Sequence, residues 1–263
     1  MRLLQPISVQ GAVIIPGAGE FVYATAQITR NSDGGARLPA NVHTKLATTD
    51  WAASMDQLQA TLPGIRNASL IVCWFGNDLR AGNCQIRPGV DNKAKVTQPL
   101  TWYASGLSRA EAYLVSEIDG RAAYGGTSSD QTVFAAIKDL RARGIGVTLT
   151  PFILMDVPNA NGLPNPYAPA SEQPVYPWRG RITCDPAPGV DGSPDQTSAA
   201  ATQLSAFIGT AQTTDFSITN ERVIYGGPNE WSYRRFILHN AYLAKAAGGV
   251  DTFLIGTEMR GLA

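Results

Sequence analysis

Few residues in this 263-residue chain combine a reactive type with a setting that chemistry could use. Glu258 directly follows the run Thr252-Phe253-Leu254-Ile255-Gly256-Thr257, which reads as a buried strand. Barrel enzymes draw catalytic groups from the C-terminal tips of such strands. A carboxyl with apolar flanks at that position suits general acid work. The structural alternative is a rim ion pair with Arg260. Asn229-Glu230 is weighed the other way. Such a pair at a strand end would be an acid/base candidate, but here it opens a helix, Asn229 as cap and Glu230 complementing the dipole. Trp74 ends a strand and Trp178 lies in a long loop beside Arg179. Aromatic faces at a barrel mouth suit the apolar faces of sugar rings, although each Trp could equally be packing. Asp156, just past the strand that holds Phe152, either bonds a substrate hydroxyl or turns the chain before Pro158.

Other chemistries fall away. The chain has no G-x-S-x-G and only His43 and His239, so a nucleophilic triad is not expected. His239 lies at the edge of an apolar helical stripe and reads as packing; His43 has no evident partner. Cys73, Cys84 and Cys184 lack C-x-x-C spacing, which speaks against structural zinc. Neither a metal nor a cofactor is expected. Cys73 reads as a small buried hydrophobe.

The elements that must position these residues alternate. Trp51, Met55, Leu58 and Leu62 form one helical face, with Thr49 or Asp50 as cap and Pro63-Gly64 as stop. A buried strand over 69–75 follows. Ser128 and Gln131 form a capping box for the stripe Val133, Ile137 and Leu140, and a strand over 145–152 comes next. A helix stripe of Tyr233, Phe236, Ile237, Ala241 and Ala244 ends at Gly248-Gly249, before a strand over 252–257. Helix-then-strand units imply a parallel sheet. A doubly wound sheet and a (β/α) barrel both fit, and the missing G-x-G-x-x-G favours the barrel. A first strand is poorly marked, with 36–42 as the candidate. Residues 1–40 read as a leader or the end of a preceding module; within them 13–15 and 21–23 could be short strands. The segment 156–197 holds nine of the 17 prolines. It starts at the site end of a strand and carries Tyr167, Tyr176, Trp178, Arg179 and Arg181. It therefore reads as an ordered loop folding over the mouth near Glu258 and Trp74.

Composition bounds the partners. Lys+Arg and Asp+Glu number 21 each, so the formal net charge is zero, against a nucleic-acid binder. Apolar residues at 44% speak against disorder. Gln5, Pro6 and Gln10 break the start of the chain before a signal-peptide core develops, and no apolar run has the length of a membrane helix.

Several ordered motifs carry a resemblance. They are Asp56-Gln57-Leu58, Ser69 to Phe75, Tyr124 to Asp130, Pro151 to Asp156, Tyr176-Pro177-Trp178-Arg179-Gly180-Arg181-Ile182, Glu230 to Phe236, and Gly256-Thr257-Glu258-Met259-Arg260-Gly261-Leu262. Over about 41–263 the chain resembles the glycoside hydrolase TIM-barrel-like domain of gene transfer agent and phage tail-tip proteins, the megatron or host-specificity family. The resemblance implies a carbohydrate-active α/β barrel that binds or cleaves host cell-surface polysaccharide or peptidoglycan beside other tail or baseplate subunits. It also implies assembly in the bacterial cytoplasm before incorporation into the particle tail. The alternative is a catalytically inactive structural or receptor-binding barrel of the baseplate. The order of motifs is similar to that of retaining β-mannanases, in which the Glu of Gly-Thr-Glu is the acid/base, and that role maps onto Glu258. The nucleophile of that clan ends a later strand and has no counterpart in this sequence. The chain is thus expected to be an N-terminal half-barrel fragment, with Trp74, Asp156, Trp178, Arg179 and Arg260 as substrate-binding candidates around Glu258.

Overall fold

The computed structural model describes residues 9–17, 19–32 and 34–262. The opening Met1–Pro6, read above for a signal core, lies outside them. Four parallel strands form the central path: β1 (Gly11–Ile14), β2 (Asn67–Gly76), β3 (Gly146–Met155) and β4 (Thr252–Phe253), in that order. Ile86–Arg87 adds a short antiparallel strand against the end of β2. The first strand is therefore not 36–42. Residues Arg37–Pro39 pair with Thr29–Asn31 in a separate small sheet, whereas Gly11–Ile14 runs in register with Asn67–Leu70. Residues 21–23 form a turn rather than a strand, because Glu20 is tied down instead by side-chain and backbone bonds.

The helices follow their apolar stripes. α1 (Asp50–Thr61) starts at Thr49, whose hydroxyl accepts from the Ala52 amide at 3.1 Å, as its sequence predicts. α2 (Asp130–Ala142) lacks the expected capping box. Ser129 precedes it without a capping bond, its hydroxyl being held by the backbone of Tyr103. α3 (Ser198–Ile208) is capped by Thr197. α4 (Tyr233–Ala246) begins at Ser232, whose hydroxyl accepts from the Arg235 amide at 3.2 Å. Asn229 is thus not its cap.

Leu70, Val72, Val147 and Leu149 share one sheet face and pack against Trp51 and Met55 of α1, Val133, Ile137 and Leu140 of α2, and Leu243 and Ala244 of α4. The opposite face carries Ser69, Cys73, Thr150 and Phe152, with the Ser69 and Thr150 hydroxyls 2.7 Å apart. These helices pack on one face only, unlike those of a doubly wound sheet. Among the described residues the sheet does not close, and on the face away from the helices Val13 remains 61% exposed. Among the described residues no helix is long and apolar enough to cross a membrane.

One residue decides where β4 stops. Leu149 accepts from Leu254, so alternate residues of β3 turn their backbone groups toward β4. Pro151 is next in that series and has no N–H to offer. Paired strand structure ends at Phe253 instead of reaching 257, and Gly256-Thr257-Glu258 leaves the sheet.

Candidate functional site

Connections after β1, β2, β3 and β4 all emerge on the side of the parallel sheet where α/β proteins bind ligands. Glu258 stands there with φ +59°, a left-handed conformation that costs a non-glycine residue about 1–3 kcal/mol. Two neighbours hold the turn before it. The Tyr233 hydroxyl donates to the Ile255 carbonyl. Gly256 lies so close beneath the same hydroxyl that a Cβ would come within 2.5 Å of it.

The Pro-rich loop returns to this point. Trp178 Nε1 donates to Glu258 Oε2 at 2.6 Å, and Arg179 Nη2 lies 2.9 Å from the same oxygen. Arg179 Nε also donates to the Thr257 carbonyl at 3.2 Å. Its guanidinium lies 3.6 Å from the ring centroid of Phe152, a cation–π contact. Burial lowers the Arg179 pKa, while the Glu258 carboxylate acts in the opposite sense. Gly180 makes the turn possible, since a Cβ there would meet the Trp178 ring at 2.4 Å. The loop is anchored further back. Gln173, buried, accepts from Leu79 N and donates to Asp78, and the Tyr167 hydroxyl donates to the Arg181 carbonyl.

The burial expected for Glu258 is not found. Its side chain is 54% exposed, whereas that of Arg179 is 6% exposed. The ion-pair partner is Arg179, not Arg260. Both partners use Oε2, which leaves Oε1 without a partner among the described residues. Arg260 is exposed and lines, with Glu258, Phe207, Tyr233, Met259 and Leu262, an open groove of about 640 Å³ whose walls are mostly apolar. A half-exposed carboxylate with one free oxygen, beside an indole and an apolar groove, can accept a hydroxyl and relay its proton.

Two expected site residues lie elsewhere. Trp74 is fully buried on the helix-facing side of β2, against Trp231, Phe236 and His239. It is a core residue, not a mouth residue, because strand periodicity alone cannot say which face of a doubly buried strand looks outward. Asp156 is buried and already satisfied: Tyr113 Oη donates at 2.7 Å, and the Ser116 amide and hydroxyl donate at 2.9 and 2.5 Å. It pins residues 113–116 to the end of β3. Glu230 is structural, as its setting suggests, but through other bonds. It accepts from Thr210, Ala211 and the Ser232 hydroxyl, joining the end of α3 to the start of α4. His239 is buried 3.2 Å from Asp130, and His43 pairs with Asp50 at 2.7 Å, the partner its sequence context did not reveal.

Three half-buried tyrosines gather on this side, Tyr113, Tyr124 and Tyr176; sequence reasoning placed Tyr176 in the loop but missed Tyr113 and the grouping of the three. Tyr124 packs edge-on to Tyr176 with ring centroids 5.7 Å apart, and Tyr113 and Tyr124 both flank Phe75. Burial comes first among the causes that raise the Tyr113 and Tyr124 pKa values, that of Tyr124 to about 12. Nothing in their spacing marks them as a group.

Residues 231–263, which include α4, β4 and Glu258, match the model of the GTA TIM-barrel-like domain. The match supports the GTA TIM-barrel family for this chain, in keeping with its mixed α/β fold and parallel sheet. No curated protein matches the sequence.

Proposed function

We propose that this chain forms the N-terminal part of a TIM-barrel-like, glycoside hydrolase-like domain that engages host cell-surface glycan at a phage-like or gene transfer agent tail tip. The observation that carries the reading is the Trp178–Glu258–Arg179 cluster at the C-terminal end of the parallel sheet, where a free carboxylate oxygen and an aromatic face adjoin one groove. One-sided helix packing and the exposed Val13 on the open edge strand support a barrel that further strands complete. The tail-tip setting rests on the sequence resemblance. In this reading Trp178 stacks on a sugar ring, Arg179 and Arg260 bind its hydroxyls, and Glu258 serves as acid/base. Hydrolysis with retention requires a second carboxylate about 5–5.5 Å away, and inversion about 6.5–9.5 Å.

A second reading, an inactive receptor-binding or structural barrel, is favoured by one observation: Asp156, the carboxylate at the end of β3, has its oxygens bonded inward. Assays against capsule, peptidoglycan and β-mannan separate the two. Loss of at least 100-fold in turnover in Glu258→Gln, with glycan affinity kept, is the outcome of the enzyme reading. Equal turnover in both proteins would remove Glu258 from the mechanism. Binding without turnover in either protein would favour the scaffold.

A further inference from the structure

A second concavity, of about 700 Å³, lies on the same side of the sheet but at the opposite edge. Its walls come from Glu20 after β1, from Arg30 and His43 between β1 and α1, and from Asp91, Lys95 and Arg121 between β2 and α2. Glu20 is fully buried and held by Arg109 through both oxygens, at 2.9 and 2.5 Å. Lys95 Nζ lies 2.5 Å from each Asp91 oxygen and 3.4 Å from Glu20. Two acids and two bases thus cancel in the floor. The other charged groups lining the walls are all basic. Arg30 and Arg121 are exposed, and neither has an ion-pair partner among the described residues. The His43 ring, also on the wall, is engaged by Asp50. Glu117 and Asp119 share the Arg121 hairpin but do not line the cavity.

We propose that this cavity is a subsite for an acidic polysaccharide, its carboxylate, sulfate or phosphate groups taken by Arg30 and Arg121. Guanidinium groups grip such anions through paired N–H donors, and a neutral floor adds no opposing charge. The anion preference rests on the cavity alone, while the saccharide class rests on the reading of the Glu258 site given above. β1 and β4 are three strand spacings apart, about 14 Å, so one oligosaccharide can touch both ends of the face.

Calorimetric titration of this chain with a polygalacturonate oligosaccharide, a neutral galactose oligomer of equal length, and inorganic phosphate tests the proposal. The acidic oligomer should bind at least tenfold more tightly than the neutral one, and more weakly as salt rises. R30Q/R121Q should abolish that preference while unfolding at the wild-type temperature, since both side chains are exposed. R121E alone, on its exposed hairpin, should lower acidic binding further than R121Q alone. Glu258→Gln should keep the preference, so failure of the Glu258 reading would not hide success here. Equal affinity for the acidic and neutral oligomers, or a preference surviving in R30Q/R121Q, overturns the proposal. Phosphate that binds as tightly as the acidic oligomer overturns the saccharide class.

Discussion

Replacing Glu230 by alanine should loosen the junction between α3 and α4 without touching chemistry. Its carboxylate accepts from the Thr210 amide at 3.0 Å, the Thr210 hydroxyl at 2.7 Å, the Ala211 amide at 2.9 Å and the Ser232 hydroxyl at 2.6 Å. Thr210 is exposed, so water replaces the carboxylate there at little cost. Ala211 is buried, and its stranded N–H costs about 1–3 kcal/mol. The charge-assisted bonds to partly exposed donors add about 1 kcal/mol after screening. A loss of about 2–4 kcal/mol follows, read as a lower urea midpoint at unchanged slope. Glu230→Gln, which keeps an acceptor, should lose about half as much. Burial pushes the Glu230 carboxyl up, but the bonds from Ser232, Thr210 and Ala211 outweigh it and leave its pKa below the ordinary 4.5. A depressed folded value means that this stability is present above about pH 4.5 and fades as pH falls through the folded value. The gap between wild type and Glu230→Ala should therefore be full at pH 7 and shrink below pH 4.5. A loss under 0.5 kcal/mol at pH 7, or glycan turnover abolished with stability intact, would refute the structural role.

Gly180→Ala should displace the Trp178 ring by about 1 Å, because a carbon at 2.4 Å must retreat to an ordinary contact distance. The near-UV circular dichroism of the variant should shift toward that of Trp178→Phe, and an unchanged wild-type spectrum would count against the contact. Arg109→Met leaves Glu20 buried with Lys95 at 3.4 Å and the Asp91 amide at 3.1 Å, and should cost about 3–5 kcal/mol at pH 7 in urea unfolding. Burial already holds the Glu20 pKa above its usual value, so the penalty should grow as pH rises past about 4.5 and shrink below it; a pH-independent loss would argue against a stranded charge.

The sheet was legible where apolar runs are long. β2 and β3 read clearly from Leu70–Phe75 and Ile145–Phe152, and the helices from their stripes. Bonds between residues far apart in the chain were not. Arg109 and Glu20 meet across 89 positions, and no local pattern announces it. Ser128 and Gln131 have the spacing of a capping box, yet the helix starts one residue later, after Ser129, so Ser128 Oγ has no partner among the described residues, and Gln131 donates to Asn220 instead. The return of Trp178 to Glu258 followed from chain order, but the strand expected to run to 257 ends at Phe253, five residues before Glu258. What chain order could not convey is that Arg179 neutralises the carboxylate, or that Trp74 turns to the helices.

Pro151 has a consequence beyond the length of β4. Glu258 is held not by a ladder of backbone bonds but by an indole and a guanidinium from a segment about eighty positions earlier. In the proposed glycan-binding reading, a sugar ring that draws Trp178 toward itself also releases one of the two contacts on Oε2. In that reading, occupancy of the aromatic face and orientation of the carboxylate are a single event, and their free energies cannot be apportioned separately. The carboxylate is held by its cover, so the tightness of the cover sets how far the side chain can swing.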